Sequence, residues 1–103
     1  MEKKVSNSFM TFMNEAPVQH KAWMEMVMKL DAASALDKKT EALAYLAVLA
    51  AVGLESGIPF HAKHAKELGA TREEIVSAVL VGLPAVCNGI VKALPVALEA
   101  FDE

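Results

Sequence analysis

The chain has 103 residues, of which 54% are hydrophobic and 22% charged, and its formal net charge is -3 at pH 7. This length fits one domain with one core, and the interspersed lysines and glutamates lack the basic stripe of a nucleic-acid binder. We therefore expect a single domain over residues 1–103 that binds no nucleic acid and hides part of its apolar surface between subunits.

The N-terminal segment MEKKVSNSFMTFMNEA has neither a continuous apolar stretch nor a small-residue cleavage site. It therefore predicts no secretory signal. The uncharged run from Ala42 to Leu54 is shorter than the roughly 18 residues typical of a membrane span. We expect a cytoplasmic protein with no membrane partner.

Glycines and prolines fall where helices begin or end, and strand-like alternation is absent, so the pattern predicts an all-α helical bundle of about six helices. A short first helix over 6–15 precedes a second that begins at Pro17, a residue suited to the first helical turn, and runs to about Leu30. Trp23, Val27 and Leu30 have the spacing of one buried helix face.

The third predicted helix begins near Asp37, an acceptable N-cap residue. Its continuation from Ala42 to Leu54 is apolar all round, as expected of a central helix that is packed on every side. Tyr45 is the one side chain in this run with a polar tip.

Two further helices follow from capping signals. Pro59 suits the first turn of the fourth helix, and Gly69 can close that helix in a left-handed conformation. Thr71 and Glu74 form a capping box that opens the fifth helix. Its apolar stripe consists of Ile75, Val76, Val79, Leu80 and Leu83.

Pro84 separates the fifth helix from the last one, in which Pro95 removes a backbone hydrogen bond and is expected to bend or break the helix. This last segment contains Cys87, the only cysteine, so the chain has no internal disulfide or Cys-x-x-Cys pair. Cys87 has two interpretations: a small buried apolar residue beside Val86 and Ile90, or a thiol that reaches the histidines of the fourth helix.

His61 and His64 lie on one face of the predicted fourth helix together with Ala65 and Leu68, so both imidazoles are expected to point toward the packed side. Structural hydrogen bonding, metal ligation and acid–base catalysis are all open to them. A metal site needs a third ligand, and the spacing lacks the His-Glu-x-x-His pattern, so we predict no metal or other cofactor. Acid–base catalysis suits histidine because its pKa is near 6.5.

The segment HAKHAKELGATREEI, residues 61–75, resembles the core of the carboxymuconolactone decarboxylase and alkylhydroperoxidase D-like family. In that family a histidine is followed eight residues later by the glycine of a Gly-Ala-Thr-x-Glu-Glu-Ile element. The segments LDKKTEALAYLAVLAA and LPAVCNGIVKALPVALEAF resemble the preceding and last helices of the family, so the resemblance covers about 37–101. It implies an alkylhydroperoxidase D-like all-α fold and a homo-oligomer, commonly a trimer or hexamer.

The redox branch of this family has a Cys-x-x-Cys pair shortly before the histidine and a glutamate on the preceding helix. The two cysteine positions correspond here to Leu54 and Gly57, and a histidine between them would fall on Ser56. The glutamate position falls on Ala42, while Glu41 is one residue, or about 100°, out of register. Because thiol–disulfide exchange needs an attacking thiolate, the resemblance implies a degenerate redox site, and we do not expect alkylhydroperoxidase activity by the family mechanism.

The decarboxylase branch works without the cysteine pair and retains a histidine at the position of His61. His61 is therefore the candidate acid/base, with His64 as support, in a protein that binds or transforms a small acidic or lactone-like metabolite, as a non-redox lyase would. An anionic ligand also needs a cationic or amide-rich clamp. Lys63, Lys66 and Arg72 are close in sequence, but we expect them to be solvated surface residues, with the lysines turned away from His61.

Two alternatives stay open at this point. The chain could be a non-catalytic oligomeric binding or scaffold protein whose histidines are structural. It could also retain peroxidase-type redox activity through Cys87 and an external thiol, for which Cys87 is a weak candidate. His20, shortly after the start of the second helix, is expected at the surface or at a subunit interface.

Overall fold

The computed structural model describes residues 5–103, and within that range the chain is helical and contains no strand. The all-α class is confirmed, although the described residues form seven α-helical segments instead of about six, since the four-residue α6 is separate. The segments are α1 (Asn7–Glu15), α2 (Pro17–Ala33), α3 (Lys38–Val52), α4 (Ile58–Glu67), α5 (Arg72–Leu80), α6 (Leu83–Val86) and α7 (Ala93–Asp102), with 3-10 turns at Glu55–Gly57 and Cys87–Lys92.

The helix boundaries follow the local capping signals. Asp37 caps α3 by accepting a hydrogen bond from the backbone N–H of Thr40, and Thr71 and Glu74 form the expected capping box of α5. Gly69 follows α4 with φ of 97°, a conformation that favours glycine. These features are fixed by residues close in sequence, which is why the pattern predicts them.

The core is formed by α3, α4, α5 and α7 together with the second 3-10 turn. Its largest fully buried side chains are Leu46, Ile58, Ile75, Val79 and Ile90. Ile75 and Val79 belong to the predicted stripe of α5, and the other members of that stripe are half-buried. This four-helix core holds α4, and therefore both candidate histidines, in place.

The contact between α4 and α7 is made largely of alanines. Ala62 and Ala65 of α4 and Ala93, Ala97 and Ala100 of α7 are all at most 2% exposed. Short side chains allow two helix backbones to approach closely, near the lower end of the usual 8–10 Å range of interaxial distances. The position of α4 is therefore set by small residues that leave little room for anything larger.

The prediction of a buried face on α2 is wrong. No residue of α2 is buried, Trp23 and Leu30 are exposed, and Val27 is only half-buried. The spacing of these residues correctly indicates a helix, but the described residues of the same chain cover that face only in part. An amphipathic helix of this kind needs a partner to bury its apolar side.

Aromatic side chains join α1 to α2. The rings of Phe9 and Trp23 lie 5.6 Å apart, and the ring of His20 lies 5.3 Å from those of both Phe9 and Phe12, all in edge-to-face arrangements. His20 is half-buried in this cluster, and its Nε2 atom has no hydrogen-bond partner among the described residues. His20 therefore packs between α1 and α2 and is not a fully exposed surface residue.

The expectation that α3 is covered on every side is also wrong. Tyr45, Val48 and Val52 lie on one side of α3, and all three are exposed. The opposite side, with Leu46 and Leu49, is buried in the core. An apolar composition all round therefore does not guarantee burial within one chain.

The break in the last segment lies upstream of the predicted position. Pro95 is the third residue of α7, where its missing N–H is one of the groups without an intrahelical partner, so α7 continues through it. The chain turns instead at Cys87, which has φ of 60° and ψ of -151°, an unusual conformation for a residue other than glycine. Pro84 lies within the short α6.

The helical stretch Arg72–Asp102 has the length and apolar composition of a membrane span, with a mean hydropathy of 1.9 in its most apolar window. It contains the uncharged run from Ile75 to Val91, which is longer than the run Ala42 to Leu54 considered above. This stretch is divided into α5, α6, a 3-10 turn and α7, and α5 packs against α7. A chain that folds back on itself in this way is not a single spanning helix.

Candidate functional site

His61 lies in the first half of α4, which begins directly after the 3-10 turn Glu55–Gly57 and has Pro59 in its first turn. The imidazole ring of His61 is half-buried. Its centroid lies 4.6 Å from that of Tyr45 on α3 and 5.0 Å from that of Phe60, with interplanar angles of 62° and 73°. We call Tyr45, Phe60 and His61 the aromatic trio.

The aromatic trio orients an acid–base group without enclosing it. Edge-to-face packing against two rings restricts the orientation of the His61 imidazole, while Tyr45 remains exposed beside it. The Tyr45 hydroxyl can both donate and accept a hydrogen bond. The trio therefore presents an imidazole and a phenol on one accessible surface, a combination suited to proton transfer and to binding a polar ligand.

His64 is half-buried one turn further along α4 and lies near a different set of charges. The pKa of Asp31 is lowered chiefly by its hydrogen bond with Lys38, whose Nζ lies 2.8 Å from Asp31 Oδ2, then by Glu41, and also by the nearby His64. His64 is thus within electrostatic reach of Asp31 at the C-terminal end of α2, in addition to lying one turn from His61 on α4.

The positions that carry the redox motif in the family lie outside the core or lack the required groups. Leu54 is exposed, and Gly57 is half-buried in the 3-10 turn that precedes α4. Ala42 is buried in the core. Glu41, one residue out of register, is half-buried and interacts with Asp31. None of these side chains supplies a thiol, and Glu41 is engaged at the end of α2.

The interpretation of Cys87 as a buried apolar residue is wrong, because the side chain is exposed. Cys87 opens the 3-10 turn Cys87–Lys92, which packs against α3, α5 and α7. His61, in contrast, lies beside Tyr45 in the middle of α3. The strained backbone at Cys87 directs this side chain to the surface. The sequence pattern does not indicate this backbone conformation.

The expectation that Lys63 is a solvated surface residue is also wrong. Lys63 is 5% exposed, and its Nζ lies 3.7 Å from Glu103 Oε1. It lies between Ala62 and Ala65 in sequence, on the part of α4 that α7 covers. A buried ammonium group must be paired, and the acidic end of the chain provides one partner.

Lys66 and Arg72 also interact with the end of α7. Lys66 donates a hydrogen bond to the backbone carbonyl of Phe101 over 2.6 Å, and its Nζ lies 4.7 Å from the centre of the Phe101 ring. Arg72 forms two hydrogen bonds with Asp102, from Nε to Oδ1 at 3.1 Å and from Nη2 to Oδ2 at 3.2 Å. These cations are exposed as expected, but they hold α7 and are directed away from a ligand at His61.

The Arg72–Asp102 pair gives an acid-dependent contribution to stability. Hydrogen bonds from Arg72 hold the pKa of the Asp102 carboxyl below its usual value, so the carboxylate favours the folded state above the unfolded pKa of about 3.9. As the pH falls through the lower folded-state pKa, this contribution is lost. We expect Asp102→Asn to have a lower melting temperature than the wild type at pH 7 and the difference to shrink as the pH falls below the unfolded pKa of about 3.9. A difference that grows as the pH falls would contradict the pairing.

No group of three or more His, Cys, Asp and Glu residues within 5–103 is arranged to hold a metal ion. Among the surface depressions formed by the described residues, one of about 320 Å³ lies between the C-terminal end of α3 and the second 3-10 turn. Another, of about 630 Å³, is an apolar groove between α3 and α5. His61 lines neither of them.

The sequence points to His61, whereas the roles of Tyr45 and Phe60 emerge only from the packing of α3 on α4. Tyr45 stands out in the sequence as the single polar tip in an apolar run. A polar aromatic residue in such a run is a signal that could draw attention to it. The sequence does not indicate which residue of α4 it contacts.

Comparison with known proteins gives one match. A sequence model described as the carboxymuconolactone decarboxylase family matches residues 17–102, which include α2 to α7 and leave α1 outside. No curated protein and no solved structure matches the chain.

Proposed function

Because the chain belongs to the carboxymuconolactone decarboxylase family, we propose that it binds or transforms a small acidic or lactone-like metabolite beside His61, by acid–base chemistry that uses no thiol. The observation that carries this proposal is the aromatic trio: an oriented, half-exposed imidazole next to an exposed phenol. His61 is the acid/base, Tyr45 binds the polar end of the ligand, and Phe60 orients the imidazole.

Decarboxylation of a lactone acid illustrates what these groups would do. The bond between a ring carbon and the carboxylate breaks, carbon dioxide leaves, and the electron pair that remains is delocalised into the unsaturated lactone. A carbon atom of the product must then gain a proton, which the His61 imidazolium donates and solvent later replaces. The Tyr45 hydroxyl donates a hydrogen bond to the carbonyl oxygen of the lactone, on which negative charge develops.

The proposal includes a homo-oligomer, a trimer or hexamer as the family resemblance implies, in the cytoplasm. Proteins of this family are typically soluble. The exposed apolar residues of α2 and α3 support subunit contacts, because a soluble monomer seldom leaves large contiguous apolar patches open. A monomer mass in light scattering at micromolar concentration would contradict the oligomer.

A thermal-shift screen tests the ligand site. The wild type, His61→Ala and His64→Ala are heated with small carboxylates, lactones, thiols, peroxides and divalent metal ions. A ligand at 100 times its dissociation constant stabilises the folded state by about 2.7 kcal/mol, which corresponds to roughly 10–20 °C in a domain of this size. We expect carboxylates or lactones to stabilise the wild type, to stabilise His64→Ala to a smaller extent because His64 is the supporting residue, and to have no effect on His61→Ala.

Other outcomes point to the alternatives. If no compound stabilises the wild type and His61→Ala alone lowers the melting temperature, His61 is structural and the chain is a scaffold or binding protein of another kind. If thiols or peroxides act on the wild type and Cys87→Ser abolishes the response, the redox alternative replaces the acid–base proposal. Tyr45→Phe removes the hydroxyl and keeps the aromatic ring. The proposal requires that this variant binds the ligand more weakly while the melting temperature of the free protein stays unchanged.

A further inference from the structure

Two apolar surfaces of the chain are largely uncovered by the described residues, although Trp23 contacts the rings of Phe9 and Phe12 of α1. The first is a stripe on α2 formed by Trp23, Met26 and Leu30, which lie within about 60° of one another around the helix. Met26 is 48% exposed and Leu30 is 63% exposed, although α2 has 17 residues and could bury a full apolar face. We call these three residues the α2 stripe.

The second surface is the groove of about 630 Å³ between α3 and α5. Its floor is built from the small residues Ala44, Ala47, Ser77 and Ala78, and the exposed Val81 lies at one side. We call it the α3–α5 groove. Small residues in a concave surface accept large side chains from a partner helix, as ridges fit into grooves in helix packing.

The stripe and the groove of one chain do not meet. The C-terminal end of α2 is held at α3 through Asp31, which interacts with Lys38 and Glu41. Glu41 and the groove residue Ala47 lie about 120° apart around α3, so α2 leaves α3 on a different side from the groove. Only four residues, 34–37, join the two helices, so the end of α2 stays close to the start of α3.

The exposed area fits a second copy of the chain as the occupant. The chain exposes 6596 Å², whereas a monomer of 11.0 kDa is expected to expose about 5600 Å². Shared between the stripe and the groove, the excess of about 1000 Å² leaves roughly 500 Å² for each, which corresponds to the small end of protein–protein interfaces.

Charge also favours this pairing. Lys29 follows Met26 by three residues and therefore neighbours it on the surface of α2, while Glu73 lies at the rim of the α3–α5 groove. Both side chains are exposed. Opposite charges at the edge of an apolar contact fix its register and disfavour wrong orientations.

We propose that the α2 stripe of one copy packs into the α3–α5 groove of the next, with Lys29 facing the partner's Glu73. The two surfaces are different, so the contact is head-to-tail, and in the proposed trimer its repetition closes a ring of three copies. This inference rests on the homo-oligomer proposed above and is independent of the chemistry at His61.

Complementation between two variants tests the contact. The stripe variant is Met26→Lys with Leu30→Lys, and the groove variant is Ala44→Arg with Ser77→Arg; all four positions are exposed, so the fold is expected to tolerate them. The matched control, Met28→Lys with Ala32→Lys, adds the same charge at exposed positions on the other side of α2. Light scattering coupled to size-exclusion chromatography gives the mass of each protein and of an equal mixture of the two variants.

We expect the control to keep the wild-type mass and each variant to form a smaller species. The mixture should form a species larger than either variant, because the intact stripe of one chain fits the intact groove of the other, but it should not reach the wild-type assembly. Variants that keep the wild-type mass, or a mixture that stays at the mass of its components, overturn the proposed contact while leaving the oligomer intact. A monomeric wild type overturns both.

A charge reversal gives an independent measurement if circular dichroism shows that either double variant has lost its helices. Lys29→Glu should weaken assembly, and Glu73→Lys on the same background should restore it. Weakening without restoration, or no weakening at all, would contradict the pairing of these two residues.

Discussion

Replacement of Leu46 by alanine is expected to lower the free energy of unfolding by about 2–5 kcal/mol. Leu46 is fully buried in the middle of α3, where α4 and α5 both pack, so the shorter side chain leaves a cavity that neighbouring helices fill only in part. Denaturant unfolding monitored by circular dichroism measures this change. In a domain of about this size, each kcal/mol corresponds to roughly 4–8 °C in melting temperature.

Val48→Ala is the matched control for this experiment. It removes apolar atoms from the same helix two residues away, but Val48 is 54% exposed. Its effect should stay within about 0.5 kcal/mol. Equal losses for the two variants would mean that the exposed side of α3 is as tightly packed as the core, and would point to burial of Val48 by another subunit.

The second large effect is expected from Ala97→Leu. Ala97 is fully buried in the alanine contact between α4 and α7, and a leucine there would have to push the two helices apart. Overpacking of this kind typically costs about 1–3 kcal/mol, and we expect a value at the upper end because both sides of the contact are already lined by short side chains. The measurement is again the free energy of unfolding.

Glu99→Leu provides the control, because it places the same side chain on the same helix at an exposed position. It should change the free energy of unfolding by no more than about 0.5 kcal/mol. A displacement of α4 should also change the ring contact between His61 and Tyr45, since His61 is on that helix and Tyr45 is on α3. A stable Ala97→Leu variant with unaltered ligand response would show that the helix contact adapts to larger residues.

The helix boundaries could be predicted from sequence because the interactions that set them are local. Asp37, Thr71 and Gly69 act on backbone groups within a few residues of themselves, so their pattern in the chain is sufficient. The prediction for Pro95 failed for a related reason: the effect of a proline depends on its position in the helix, and α7 begins only two residues before it.

Burial was predicted less well, because it depends on which surfaces meet. The apolar faces of α2 and of α3 at Tyr45 have the expected spacing and yet are exposed, since the described part of the chain covers them only in part. Lys63 is the opposite case, a charged residue buried because Glu103 approaches it from the far end of the sequence. A contact between residues 40 positions apart, such as Lys63 and Glu103, cannot be recognised from a local sequence pattern.

The candidate site was predicted in part. His61 follows from its place in the family element, but its contacts with Tyr45 and Phe60 depend on how α3 packs on α4. The electrostatic interaction of His64 with Asp31 likewise depends on the position of the end of α2. Sequence identifies the type of group, and packing decides its neighbours.

The alanine contact between α4 and α7 has a consequence for how such a protein changes over evolutionary time. Selection for the fold acts on Ala62, Ala65 and Ala97, where almost any larger side chain is costly. Leu54 is exposed, and a side chain added at Gly57 would meet Leu49 only at an ordinary contact distance of 3.7 Å. Residues at these two positions can therefore be exchanged, cysteines included, at little cost to the scaffold, and lineages with different chemistry can share one framework.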